Sequence, residues 1–322
     1  MKKPAIVLLL FFLLTLFVML LSPQLGVIDT TDKDLIQQII MQIRVPRMLL
    51  AFVAGAGLAL CGMVFQAMFH NPLATPFTLG VASGASLGAA LSVYLGISFT
   101  ILGLSASTIA AFTGAMLTIL FIYGISRFRT GFSPATLLLA GVAISFFFSS
   151  LILFTQYLSD ITDTFRIVRW LMGSLNTVGY QEVTQLLPFV AICTTVILML
   201  SRELNLLAAG DEIAISRGVA VERIRYLLFF VTSLCVGAIV AVCGPIGFIG
   251  MMVPHICRLL IGYDHRWLAP ASLLFGAVFL IICDNFARLI IAPAEIPVGV
   301  ITTLLGGPFF LWLLIRSKSR TT

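Results

Sequence analysis

Apolar residues run along this chain in blocks about as long as a membrane span, with polar and turn-forming residues gathered between them. A bilayer core about 30 Å thick takes about 20 helical residues, which makes block length a ruler for spans. No charged residue occurs between Arg47 and Arg127, and that stretch divides into three spans at His70-Asn71-Pro72-Leu73-Ala74-Thr75-Pro76 and around Gly96-Ile97-Ser98. The same rule predicts helices near 5–22, 48–68, 78–95, 101–126, 134–158, 184–201, 226–243, 247–262, 268–288 and 297–315. Between the seventh and eighth of these, Gly244-Pro245-Ile246-Gly247-Phe248-Ile249-Gly250 supplies the turn. The strands of a membrane barrel would alternate apolar and polar residues, whereas these blocks are unbroken. The fold class is therefore all-α integral membrane, with about ten transmembrane helices. The first block follows Lys2-Lys3 as a signal peptide would, but no A-x-A-like site follows it, so it reads as the first anchor.

Composition agrees: 60% hydrophobic residues, 10% charged and a mean hydropathy of +1.12 over 322 residues exclude a chain that folds in water. The net charge of +6 would suit a nucleic-acid partner if it were gathered on one face, but the basic residues are dispersed through short loops, so no nucleic acid is expected. Their distribution speaks to topology instead. Ten spans put both termini on one side, and placing them in the cytoplasm gives the inner loops and tails about 13 of the 19 basic residues. Lys33, Arg44, Arg47, Arg166, Arg169 and Arg288 fall outside, together with Asp29, Asp32, Asp34, Asp160, Asp163 and Glu182. The six cysteines lie in or near apolar segments and form no CxxC pair, so neither a zinc site nor a redox motif is indicated.

Residues 54–62, AGAGLALCG, match residues 236–244, VGAIVAVCG, at Gly55/Gly237, Ala56/Ala238, Ala59/Ala241, Cys61/Cys243 and Gly62/Gly244. These lie in the second and seventh spans. A repeat unit of five helices inserts its two copies in opposite senses, which predicts two inverted five-helix repeats. One transmembrane domain, 1–322, is expected, with halves at about 1–160 and 184–315 and a cytoplasmic loop at about 203–221.

Gly84-Ala85-Ser86-Leu87-Gly88 satisfies the G-x-S-x-G pattern of serine hydrolases, but no strand precedes it. With Gly80 it forms a glycine strip suited to close helix packing. None of the four lysines follows a glycine, so the chain carries no P-loop, and ATP could energise it only from another subunit. The spans hold almost no ionisable groups of the kind that couple an ion gradient to transport. Asp284 and Arg288 are spaced for a mutual i,i+4 salt bridge, and the three histidines lie far apart, so no metal site is expected. In the long inner loop, Gly210 can end one short helix, Asp211 cap the next, Glu212 occupy its first turn and Gly218 its C′ position. That loop is either an interfacial connector or a rigid dock for a soluble partner.

Taken together, Arg44-Val45-Pro46-Arg47, Asn71-Pro72-Leu73-Ala74-x-Pro76, Trp170-Leu171-Met172-Gly173-Ser174, the Gly210-Asp211-Glu212 to Gly218 loop, the 244–250 turn with Pro254-His255, Asp264-His265-Arg266 and Glu295-Ile296-Pro297-Val298-Gly299 resemble the permease subunits of ABC importers for iron-siderophore, haem and cobalamin. They run in family order across nearly the whole chain. The resemblance implies a second permease subunit (a homodimer or a paralogue), two cytoplasmic ATPase subunits that bind the ATP, and an extracytoplasmic substrate-binding protein in a bacterial inner membrane. It implies ATPase coupling through Gly210, Asp211, Glu212 and Gly218, and docking of the binding protein on Arg44, Arg47 and Arg288. No cofactor of its own and no catalytic residue are implied. Iron-siderophore is the expected cargo, with cobalamin or haem as the alternative and an ion-coupled secondary carrier as a rival class.

Reporter tags at Ser319 and in the 127–131 loop are expected to be cytoplasmic, and tags near Asp32 and Asp160 external. Accessibility labelling in intact cells checks this, and an external carboxyl terminus would overturn the even span count.

Overall fold

The computed structural model describes residues 2–26, 32–128 and 134–318, so the tags at Ser319 and within 129–131, and the expected outer Asp29, lie outside the described residues. In chain order the helices are α1 (Lys2–Leu21), α2 (Lys33–Ile39), α3 (Val45–Met68), α4 (Val81–Tyr94), α5 (Ala106–Phe128), α6 (Pro134–Leu158) and α7 (Ile161–Leu171). They continue with α8 (Gln181–Met199), α9 (Ser201–Ala209), α10 (Asp211–Ser216), α11 (Val221–Cys243), α12 (Ile249–Ile261), α13 (His265–Leu289) and α14 (Val298–Lys318). A two-stranded hairpin, β1 (Thr100–Ile101) and β2 (Leu104–Ser105), precedes α5. Each predicted span coincides with one of these helices.

Among the described residues, seven helical segments are long and apolar enough to cross a membrane. Three apolar helices are shorter, at Val81–Tyr94, Ile249–Ile261 and Val298–Leu313. Two of the three owe their length to the backbone that leads into them. A 3₁₀ turn over Pro76–Leu79 ends at Gly80 with φ +77°, and α12 starts after Phe248 with φ +68°. Such irregular backbone is tolerated at membrane depth where protein covers it. The predicted start of α5 moves from 101 to 106 because Leu102 and Gly103, both at positive φ, form a two-residue turn of the type that closes hairpins. Gly80 therefore sits at a helix junction and is not part of the glycine strip, while Gly84 and Gly88 do face the α5 backbone at Gly114 and Ala110.

The two halves interlock. Helix α3 packs against α12 and α13, and its repeat counterpart α11 packs against α4 and α5. Gly55 of α3 abuts the Gly276 carbonyl of α13, and its match Gly237 abuts Ala115 of α5. The two counterparts run in opposite directions. Helix α3 has Arg47 in its first turn, beside Glu295, and leads to His70, which bonds to α9. Helix α11 starts beside α10 and ends where the Ser174 N–H donates to the Cys243 carbonyl at 2.7 Å, next to α7. That reversal is what two inverted five-helix repeats require. All six cysteines are buried, as small side chains in packed helices.

Gly62 sits directly against the Gly250 backbone, and a Cβ there would occupy the space of Gly250 itself. Gly62→Val is expected to destabilise the detergent-solubilised protein by about 3 kcal/mol or more, since backbone cannot yield as a side chain does. Gly124→Ala, where nothing lies within 4 Å, should be neutral or slightly stabilising. Thermal melting of both variants checks the contrast.

Candidate functional site

Residues with charge or polarity to spend collect at the two ends of the bundle. At one end α9 and α10 form the short helix pair that the loop's capping residues predict. Gly210, at φ +124°, separates them. The Gly218 N–H donates to the Ile215 carbonyl at 2.9 Å and the Val219 N–H to the Ala214 carbonyl at 3.0 Å. Those are the paired bonds of a Schellman motif, and Gly218 at φ +80° takes the left-handed position that the motif needs.

Asp211 departs from expectation. Gly210 occupies the N-cap, and the Asp211 carboxylate instead accepts from Arg225 Nη1 at 2.7 Å and Nη2 at 2.5 Å. A guanidinium fork matches a carboxylate with two parallel bonds, which outweighs a single capping bond. Arg225, buried at the start of α11, thus pins α10 to the bundle. Glu212, Ile213 and Ile215 remain exposed, while Ala214 faces inward. Helix α9 is tied down separately. His70 Nε2–H donates to the Leu207 carbonyl at 2.7 Å. Asn205 Nδ2 donates to Asp264 Oδ1 at 2.7 Å, and its oxygen accepts from the His265 N–H at 2.8 Å and lies 2.7 Å from His265 Nδ1. Burial pushes the Asp264 carboxyl up, but the Asn205 amide and the Arg266 N–H and charge outweigh it and hold the group below its usual range. This contribution is fully present above about pH 4 and is lost as pH falls through the lowered value.

At the other end stands a network around Asp284. Arg47 Nε donates to Oδ1 and Oδ2 at 3.0 Å each and Nη2 to Oδ1 at 2.9 Å, while Nη1 reaches Glu295 Oε2 at 2.7 Å. Arg288 Nε lies 3.4 Å from Asp284 Oδ2, so the expected i,i+4 pair exists as the weaker arm. Arg288 also bonds Asn285, whose oxygen accepts from Ser22 Oγ at 2.9 Å. Arg44 Nη1 donates to the Pro23 carbonyl at 3.2 Å.

The structure brings Arg44, Arg47 and Arg288 to one end but not into an open rim. Arg44 is 7% exposed and Arg47 6%, and the guanidinium of Arg47 is bonded within its own chain. Their burial has a physical cause: an arginine packed inside a bundle of apolar helices must find a carboxylate, and Asp284 is 2% exposed beside Arg47. The Glu295 arm is the accessible one, with its side chain 43% exposed. A pocket of about 350 Å³ opens beside it, lined in part by Arg47, Arg166, Arg169, Trp170, Asn176 and Glu295.

Sequence reasoning missed Arg225, Asn205 and Gln66. Gln66 accepts from Arg258 and donates to the Gly250 and Met251 carbonyls at 3.2 and 3.3 Å, tying α3 to α12. No motif spacing marks these residues, because their partners lie between 14 and 192 positions away.

A family model described as the FecCD transport family matches residues 3–316. The chain belongs to this family. It is 42% identical over 295 residues to the hemin transport system permease protein HmuU of Yersinia pestis, covering 91% of this chain and 87% of that one. It is 38% identical over 280 residues to the Fe(3+) dicitrate transport system permease protein FecC of Escherichia coli, covering 87% and 84%. Other relatives at comparable identity are named for molybdate and cobalamin import. A solved transporter described as of the metal-chelate ABC type, in an inward-facing conformation, superposes with a TM-score of 0.86 at 34% identity, over 97% of this chain and 99% of the other. This FecCD-family chain is the permease of an ABC importer.

Arg47→Ala in this permease leaves Asp284 buried with a single, longer partner. It is expected to lower stability by about 3–5 kcal/mol. Arg166→Ala, whose pair with Asp163 is exposed, should change it by less than about 1 kcal/mol. Denaturant or thermal melts of the purified variants check the ranking.

Proposed function

We propose that this permease carries a ferric siderophore inward across the bacterial cytoplasmic membrane, powered by two ATPase subunits that dock on α9 and α10. The observation that carries the reading is a braced helix pair with unused apolar side chains. Arg225, Asn205 and His70 fix α9 and α10 to the bundle, yet Ile213 and Ile215 project with 49% and 62% of their surface exposed. A rigid knob of this kind suits a cleft on a soluble motor, and Gly210, Asp211, Glu212 and Gly218 hold its shape. ATP belongs to that motor, and the permease itself needs no cofactor.

In this reading the chain is one transmembrane domain with repeat halves at about 1–160 and 184–315 and a coupling loop at about 203–221. Both termini lie in the cytoplasm, and a second permease, identical or paralogous, completes the pathway. The binding protein docks over the end that holds Arg44, Arg47 and Arg288. Its carboxylates compete for the position of Glu295 on Arg47, the arm of the network nearest water. Iron in the cargo is supported by the hemin and ferric dicitrate named for relatives. Haem is the second reading, favoured by the degree of identity to the hemin permease.

Proteoliposomes containing the permease, its ATPase and its binding protein should take up ferric siderophore in an ATP-dependent way, in preference to haem, cobalamin and molybdate. Preference for haem would replace the cargo and keep the mechanism. Gly218→Val places a β-branched residue in the left-handed region, a penalty of roughly 1–2 kcal/mol at the knob, and should cut uptake about tenfold while the protein still inserts. Normal substrate-stimulated ATP hydrolysis by that variant would sink the coupling role.

A further inference from the structure

Cys61, Cys193 and Cys235 stand 132 and 42 positions apart in sequence, on α3, α8 and α11, yet their sulfur atoms all lie within 4.8 Å of one another. Cys61 Sγ and Cys193 Sγ are 3.8 Å apart. The three residues are 0–1% exposed and sit where α3 of one half meets α8 and α11 of the other.

Buried cysteines commonly act as small apolar residues, and singly they would call for no comment. Three converging sulfurs are different, because all lie within 4.8 Å of one another and the Cys61–Cys193 edge, at 3.8 Å, is the length of a metal–thiolate polyhedron edge. Metal–sulfur bonds of about 2.3 Å give sulfur–sulfur edges of roughly 3.8 Å in a tetrahedron and 4.0 Å in a trigonal plane. Thiolates select soft cations. The surroundings decide the charge. In an apolar interior the site must be close to neutral, and a monovalent ion on one thiolate and two thiols meets that condition. The balance is RSH + M⁺ → RS–M + H⁺, with the other two sulfurs donating lone pairs as neutral thiols. A divalent zinc ion would require a second ionisation and a fourth ligand, and the Thr232 carbonyl, which accepts from Cys61 Sγ at 3.5 Å, belongs to a helix backbone.

We propose that Cys61, Cys193 and Cys235 form a three-sulfur site for one soft monovalent d¹⁰ cation of the Cu(I) class, shared between the two halves of the permease. An apolar pocket of about 320 Å³ between α5, α8 and α11 reaches Phe189 and Ala238, one helical turn from Cys193 and Cys235. Because all three cysteines are buried, loading is slow, and a bound ion ties α3 to α8 and α11. The inference stands apart from the choice of cargo.

The test is anaerobic titration of the purified, detergent-solubilised permease with Cu(I) against a colorimetric Cu(I) chelator. Two variants frame it. Cys243→Ala/Cys257→Ala/Cys283→Ala keeps only the trio and should retain one Cu(I) per chain, with a melting midpoint that rises as free Cu(I) rises. Cys61→Ala/Cys193→Ala/Cys235→Ala should lose both the ion and the shift. X-ray absorption of the trio-only variant should show three sulfur neighbours at about 2.3 Å. Copper retained by the trio-less variant, no copper on the trio-only variant while it remains folded and monodisperse, or fewer than three sulfur neighbours would overturn the site, leaving three thiols that hydrogen-bond only to one another and to the backbone.

Discussion

A transmembrane helix gains little by exchanging a lipid tail for a leucine, so this bundle depends on how closely its backbones approach. The contact on which the rest hangs is that of α3 with α12 and α13. Gly62 meets the Gly250 backbone and Gly55 meets the Gly276 carbonyl, in each case without a side chain between the main chains. Dispersion between backbones at that range replaces the hydrophobic drive available in water. The price of such contacts is intolerance, since neither neighbour can move aside for a methyl group. Gln66 then adds bonds to two carbonyls at the start of α12.

Because α3 is held so firmly, it connects the two polar ends of the bundle. Its 24 residues span about 36 Å at 1.5 Å per residue. Arg47 at its start carries the ionic network, and His70 just past its end bonds to α9. The network is charged but inward-directed, while the α9–α10 end is braced and outward-directed. A change at the Glu295 arm acts on the same helix that supports α9.

Cargo choice is separable from this architecture. Relatives named for hemin, ferric dicitrate, molybdate and cobalamin import share the family. One scaffold thus serves ligands of very different size and charge, as expected when function resides in a few residues set upon a common fold.

The sequence by itself determined the order and approximate limits of the ten apolar helices, because span length and turn chemistry are local properties that each segment carries alone, whereas the short helices α2 and α7 carry no such signal. Gly210 and Gly218 were legible in the same local way, since their positive φ angles follow from their places at helix ends, and the inverted repeat was visible in five matched small residues among nine positions. Only the tertiary structure decided what the polar groups do. Asp211 looked like a helix cap until Arg225 reached it, and Arg44, Arg47 and Arg288 looked like an open rim until Asp284, Glu295 and Pro23 took up their donors. Three cysteines without a motif became a cluster because α3, α8 and α11 cross at one point. A helix is specified by bonds four residues apart, whereas a buried charge or thiol is specified by whichever distant segment packs beside it, and no spacing in the chain records that meeting.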